Sequence, residues 1–293
     1  MMKIVLIGKN GQLGGEFQRI LPILGDVIAL DREELDICDL DAIQKTLNEL
    51  KPGLIINASA YTDVDRAEKE TELAMNINAR APGVMAETAR KLGAALIHYS
   101  TDYVFDGKKN APYTESDPTN PLNMYGKSKL LGEENIRQAG EAYLILRTSW
   151  VYSLRGNSFV KKVLKWSRQN TTLNIVDDQI SGPTWARTLA EITSFILAEN
   201  KKDLRDQLRE RCGVYHVAGG GFTSRYEWAK QILANDPRPT EQTVQAVEPA
   251  STEAFPTPAV RPLFSALDCS LSEKRFGLRL PDWRNTLRMA MAE

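Results

Sequence analysis

Histidine is scarce in this chain, with two in 293 residues, and its three cysteines (Cys38, Cys212, Cys269) are scattered without a CxxC pair. Two histidines cannot build a His-rich metal site. Isolated thiols fit a reducing compartment and exclude a disulfide framework. No apolar run approaches the ~20 residues that a membrane span requires. The opening MMKIVLIGKNGQLGG is too briefly apolar for a signal-peptide core. We therefore expect a cytoplasmic protein. Excess charge of one sign is missing too. Lys and Arg number 37 against 38 Asp and Glu, a net −1, which gives no electrostatic attraction to nucleic acid or an anionic membrane. What is present is ordinary: a chain of this length buries roughly 75% of its unfolded surface, so its core needs no metal or disulfide.

Short apolar runs at 3–7, 26–30, 54–57, 95–100 and 143–147 alternate with amphipathic stretches near 12–23, 41–50, 72–92 and 125–138. That alternation predicts an α/β fold, a Rossmann-type doubly wound parallel sheet with helices on both faces. Beyond about residue 150 the rhythm loosens. Helical patterns fall near 157–169, 184–199 and 224–234, with a strand candidate at 214–217. We expect a smaller, interleaved C-terminal substrate domain, formed by 151–174 and roughly 219–293. The dinucleotide-binding domain takes 1–150 and roughly 175–218. Pro237, Pro239, Pro249, Pro256, Pro258 and Pro262 predict loops folding over a site. The charged run at 201–212 reads as a solvated helix or loop.

The segment IGKNGQLGGEF places Gly8, Gly11 and Gly14 between the first strand and the first helix. Glycines there allow a tight turn and close approach of backbone to a pyrophosphate, which meets the free N–H groups of the helix start. Gln12 and Leu13 would bring their backbone near the phosphates. Asp31, ending the second strand, suits an adenosine ribose diol, whereas Arg32 suits a 2′-phosphate, so NADH and NADPH both remain open. Asp39, followed by Leu40, either reaches the adenine or belongs to a solvated acidic loop. After the third strand, Ala58, Ser59 and Ala60 leave room for a flat cofactor, flanked by Tyr61 and Thr62.

The fourth strand runs through Tyr99 into Ser100 and Thr101, at the edge where doubly wound sheets place ligands. Tyr125 and Lys129 follow, one helical turn apart. A free tyrosine holds its proton to a pKa near 10, and a lysine ammonium beside it would lower that value. With a hydroxyl at Thr101, this set would protonate a carbonyl oxygen during hydride transfer from a nicotinamide. His98 and His216 lie inside strands and read as core residues.

Taken in order, the glycine triplet, the Ser/Thr after the fourth strand and Tyr125-x-x-x-Lys129 resemble the extended short-chain dehydrogenase/reductase family. STDYVFDG, PLNMYGKSKLLGE, LRTSWVY, DDQISGPT and PTPAVRP are similar to its nucleotide-sugar ketoreductases. The resemblance implies reduction of the C4 ketone of dTDP-4-dehydro-L-rhamnose to dTDP-L-rhamnose, with NADPH or NADH as cofactor and a monomer or homodimer as the assembly. It makes Tyr125 the proton donor, Lys129 the partner of the nicotinamide ribose and Thr101 the hydroxyl that tunes Tyr125. Asp102, Tyr103 and Trp150 would meet the sugar nucleotide, with core packing the competing role for Trp150. Arg261 would meet the diphosphate. Some relatives join as dimers through Mg²⁺ held by acidic side chains. Glu16 matches one such position, but Arg187 stands where a glutamate would be needed. The alternatives are a related epimerase or dehydratase, which usually adds an acidic pair beside the threonine, and a regulatory subunit of the methionine adenosyltransferase type. The presence of both Tyr125 and Lys129 disfavours the regulatory reading.

Overall fold

The computed structural model describes residues 2–198 and 204–292. Five strands, β1 (Lys3–Ile7), β2 (Asp26–Leu30), β3 (Leu54–Asn57), β4 (Ala95–Thr101) and β5 (Tyr143–Thr148), match the apolar runs. A sixth partner comes later in the chain, after the short strands β6 (Val151–Tyr152), β7 (Thr172–Val176), β8 (Ile180–Ser181) and β9 (Thr184–Trp185). This is β10 (Gly213–His216), and it is followed by β11 (Thr223–Ser224) and β12 (Ala246–Ala250). The main sheet runs β10-β5-β4-β3-β1-β2, parallel throughout. The chain leaves β1 toward β2, then crosses back to β3, so the strand order reverses between β1 and β3. Their carboxyl ends open a crevice there.

Alternation along the strands sorts the core. Val5, Ile7, Ile55, Leu96 and Ile145 meet one helical layer: α2 (Leu40–Leu50), α5 (Ala81–Leu92) and α6 (Met124–Ala139). Ile4, Leu6, Ile56, Ile97 and Leu144 meet α1 (Gln12–Ile20), α8 (Ala186–Ala198) and α9 (Leu204–Glu210) on the other face. Two short helices, α3 (Val64–Ala67) and α4 (Thr71–Met75), pack against α6, and a π-turn at Asn76–Arg80 joins α4 to α5. A third apolar cluster gathers Tyr152, Val160, Leu173, Ile175, Trp185, Trp228, Trp283 and Leu287. It lies among α7 (Phe159–Ser167), α10 (Arg225–Ala234) and α12 (Trp283–Met291). Ile175 and Trp185 thus pack with this cluster, while Leu189 onward packs beneath the main sheet.

The structure refines three readings of the later chain. The proline-dense segment is not loop throughout: β12 lies within it and pairs in parallel with β7, Pro249 opposite Ile175. Proline survives there because this sheet has only two strands, so the position is an edge. The charged run is helical as α9, and its residues 201–203, like 199 of the expected helix 184–199, lie outside the described residues. The C-terminal helices α11 (Ser270–Phe276) and α12 were not foreseen. Gly277 ends α11 with φ +61, and the Asp282 side chain caps α12 by accepting from Arg284 N. Among the described residues, no helix is long and apolar enough to cross a membrane.

Candidate active site

The crevice begins at the glycine loop. Gly8 (φ +90) and Lys9 both donate from their N–H groups to Leu30 O, at 2.9 and 3.2 Å, which ties the loop to β2. A Cβ on Gly14 would lie 2.0 Å from Gly8 O, and one on Gly8 would lie 2.9 Å from Ser59 N. Both positions therefore exclude a side chain. Gly11 begins α1 without a side-chain cap, leaving the first-turn N–H groups facing the crevice. Gln12 instead reaches Ser153 and Val151 with its side-chain amide.

Two contiguous clefts share Gly8, Asp31, Ser59 and Ala60. One adds Arg32, Asp36, Cys38, Tyr61 and Arg66; the other adds Gly11, Gln12, Leu13, Thr62, Tyr99, Tyr125 and Lys129. Most sequence-predicted cofactor positions are therefore brought together. Asp39 and Leu40 are not, and Gly14 backs the loop at Gly8 without lining either cleft. The Asp39 carboxylate accepts from Ala42 N at 2.9 Å as the cap of α2, which turns it from the cleft, and Asp36 to Cys38 form the wall instead. Asp31 accepts from Asn10 N and Arg32 N, both at 2.8 Å, bracing the glycine loop. Arg32 is exposed and meets Asp36 at 3.6 Å. The residues fit a dinucleotide: an uncapped helix start, a loop in which a Cβ would clash, and a buried Thr148 Oγ1 without a partner lining the same cleft.

Asn123 places the catalytic helix. Its Oδ1 caps α6 at Gly126 N (2.8 Å), and its Nδ2 donates to Val260 O (2.8 Å). Asn78, from the π-turn, accepts from Tyr61 N and donates to Tyr61 O and Ser128 Oγ, so the loop after β3 is latched to α6. Tyr125 then faces the cleft, while Lys127 is exposed.

The expected Tyr125–Lys129 coupling takes a different form. Lys129 Nζ, 1% exposed, donates to Tyr99 O at 2.6 Å and lies 3.1 Å from His98 Nε2. It is drawn to β4 rather than to the Tyr125 hydroxyl, because a buried amine needs the nearest acceptors. Burial lowers its pKa to about 8, against the opposing effect of Glu133. Tyr125 moves the other way: burial raises it well above the usual phenol range, Asp102 and Tyr103 add to this, and a hydrogen bond with Thr101 opposes it. The phenol thus keeps its proton at neutral pH, the state a proton donor needs.

Thr101 Oγ1 accepts from Tyr103 N (3.1 Å) and donates to Asp102 Oδ1 (3.2 Å). Asp102, 2% exposed, also accepts from Ser181 Oγ (3.0 Å) and Ser265 Oγ (2.5 Å), and burial raises its pKa to about 6 against these bonds. The Tyr103 ring packs edge-on against Tyr125, with centroids 5.8 Å apart. Tyr103 interacts with Arg225, which lines a cavity together with Phe159, Lys162, Trp166, Gln179 and Arg261, among others. Arg261 is held bidentately by Asp65 of α3, at 3.0 and 2.6 Å. Trp150 is half-buried with φ +40, stacked on Trp228 at 5.5 Å, with the Arg225 guanidinium 3.9 Å over its ring. It supports the cavity through Arg225 and does not itself line it. Arg225 and Asn78 were missed from sequence. An arginine or asparagine on a helical stretch carries no local signal of a site, and both act across the fold.

Glu16 does not fit a cation site. Its carboxylate, 4% exposed, meets Arg187 at 3.0 Å, Arg155 at 3.9 Å and Arg19 at 4.0 Å. Guanidinium groups fill the place a cation would take. Among the described residues no cluster of three metal-ligating side chains exists.

The family model described as RmlD substrate binding domain matches residues 2–293. A dTDP-4-dehydrorhamnose reductase of Burkholderia thailandensis is 40% identical over 301 residues, covering 100% of this chain and 99% of that protein. The crystal structure of a dTDP-4-dehydrorhamnose reductase from Clostridium acetobutylicum superposes with a TM-score of 0.91 at 37% identity, covering 99% of each chain. That of a Bacillus anthracis dTDP-4-dehydrorhamnose reductase in complex with NADP gives 0.89 at 34% identity, again over 99% of each.

Proposed function

The chain belongs to the RmlD substrate binding domain family, and from that premise we propose that it is a dTDP-4-dehydrorhamnose reductase. It reduces the C4 ketone of dTDP-4-dehydro-L-rhamnose to dTDP-L-rhamnose with NADPH or NADH. A bound nicotinamide supplies the hydride that goes to C4. The protein supplies the rest. Tyr125 gives its proton to the carbonyl oxygen, Thr101 holds the hydroxyl in line, and Lys129 anchors the ribose side of the cofactor. Gly8, Gly11 and the start of α1 cradle the pyrophosphate, with Asp31 and Arg32 at the adenosine end. Arg225 and Arg261 take the diphosphate of the sugar nucleotide, since guanidinium groups donate paired bonds to phosphate. Asp102 and Tyr103 lie where the sugar must pass.

One observation carries this reading. Tyr125 lines the glycine-loop cleft and touches Tyr103, which interacts with Arg225 of the arginine-bearing cavity. A cleft that fits the reductant and a cavity that carries two arginines therefore both approach one protonated phenol. The assay is oxidation of NADPH or NADH on adding dTDP-4-dehydro-L-rhamnose. Cofactor binding without turnover of that substrate would overturn the proposal. Tyr125→Phe is expected to cut turnover at least ~100-fold with cofactor affinity nearly unchanged, the lower range for loss of a general acid.

A further inference from the structure

Behind the catalytic helix, Asn57 of β3 and His98 of β4 stand opposite each other in the parallel register, each no more than 1% exposed. Ser59 N donates to Asn57 Oδ1 at 3.1 Å, and Ser59 Oγ does so at 2.6 Å. A backbone N–H can only donate, so it fixes which end of the Asn57 amide faces Ser59. The other end, Nδ2, lies 3.1 Å from His98 Nδ1. Nδ1 must then accept, and the single proton of a neutral imidazole sits on Nε2. Nε2 lies 3.1 Å from Lys129 Nζ, which is itself spending a proton on Tyr99 O. An ammonium would set donor against donor across that contact. An amine turns its lone pair to it.

We propose that His98, locked by Asn57 as the Nε2–H tautomer, is a positioning residue that donates to Lys129 Nζ and so favours its amine form in the cofactor-free protein. The opposite state has a definite cost. An ammonium at Lys129 needs His98 as the Nδ1–H tautomer, which turns the Asn57 amide over and removes the acceptor of Ser59 N. Ser59 lines both clefts of the cofactor crevice. Protonation of Lys129 and the conformation of the cofactor wall are thus one equilibrium, linked through a four-residue chain. The other ionisable groups here do not substitute for His98. Glu133, on α6, favours the ammonium but is committed to Arg147 of β5, at 2.9 and 2.7 Å. Tyr125 stays neutral through burial. Burial pushes His98 itself well below its ordinary range, so it is not a competing cation. The inference rests on Lys129 being the cofactor-facing amine of the proposed reductase, but its test does not need the substrate.

With two histidines in the chain, their ¹⁵N ring resonances in the cofactor-free protein can be assigned directly. Lys129 is followed through its labelled ε-carbon between pH 6 and 11. The expected result is Nε2–H for His98 above the Lys129 midpoint, giving way to Nδ1–H as Lys129 takes up its proton, with that midpoint below the ordinary lysine value near 10.4. In His98→Phe the Lys129 midpoint should rise by about one pH unit, the worth of one hydrogen bond. An Nδ1–H tautomer above the Lys129 midpoint, or a tautomer that does not change as Lys129 titrates, read on the unaltered protein, would overturn the proposal. An unmoved midpoint in folded His98→Phe would do the same. Loss of the reductase reading with the tautomer and titration intact would leave this inference standing as a property of the site.

Discussion

Lys129 and Glu133 stand one turn apart on α6, and both bury their charge, at 1% and 0% exposure. Their surroundings differ in kind. Glu133 receives two bonds from Arg147 and one from Ser100 Oγ, so its charge is neutralised and its oxygens are occupied. Lys129 meets only a carbonyl and a neutral ring. A buried charge with a matched partner pins helix to strand. A buried amine without a counter-ion is unstable as a cation, and such groups collect at functional sites. The same helix face thus carries a structural device and a chemical one, four residues apart.

The structural half of that contrast predicts the largest effect. Glu133→Ala should destabilise the protein by about 3–5 kcal/mol, because it strands a buried guanidinium. Arg147 Nη1 already lacks a partner, so no alternative acceptor waits nearby. Urea denaturation measures the loss, and a cost under about 1 kcal/mol would dissolve the distinction. Replacing both partners together, as Glu133→Leu with Arg147→Met, should recover most of it, since a lone charge is the problem rather than the absent pair.

The chemical half predicts the opposite sign. Lys129→Met should stabilise the fold near pH 7 by on the order of 1–3 kcal/mol, after its lost hydrogen bonds are set against the relieved burial of charge. The pH dependence follows from the direction of the shift. The folded value, about 8, lies below the unfolded 10.5, so the unfolded chain binds more protons between them. Wild-type stability from this group therefore rises with pH across that window, and the advantage of the Met variant shrinks there. Thermal denaturation at pH 7 and pH 10 tests this. A destabilised Met variant at both values would mean that Lys129 is held as a structural residue, like Glu133. Turnover should fall in the same variant, separating stability from function at one position.

How much of this was legible beforehand divides along similar lines. The sheet and its glycine loop follow from local rules: apolar runs of strand length, and glycines where a Cβ would strike Gly8 O or the Ser59 backbone. The Tyr125–Lys129 spacing was equally plain, but spacing says only that two side chains share a helix face. It does not say which acceptors the sheet behind them offers, and Tyr99 O and His98 redirected the lysine. Asp102 was placed near the substrate path, yet the serines that hold it, Ser181 and Ser265, come from 79 and 163 residues away. Pro249 misled for a related reason: a strand at the edge of a two-stranded sheet tolerates what a central strand does not. Whatever depends on distant segments meeting was hidden, and that includes most of the arginine-bearing cavity.

The two acidic residues around β2 give the smallest and most discriminating comparison. Asp31 was expected at the ribose diol and Asp39 either at the adenine or in a solvated loop; only Asp31 lines the cleft, and Asp39 caps α2. Asp39→Ala should cost about 1 kcal/mol of stability, the usual worth of such a cap, and leave cofactor affinity within about twofold of the parent. Asp31→Ala removes the acceptor for Asn10 N and so loosens the glycine loop itself. It should weaken cofactor binding several-fold more than Asp39→Ala does, because a backbone donor in the loop loses its side-chain acceptor. Cofactor titration of the two variants by fluorescence decides the matter. Equal losses would return Asp39 to the adenine, and they would mean that its bond to Ala42 N opens when the cofactor binds.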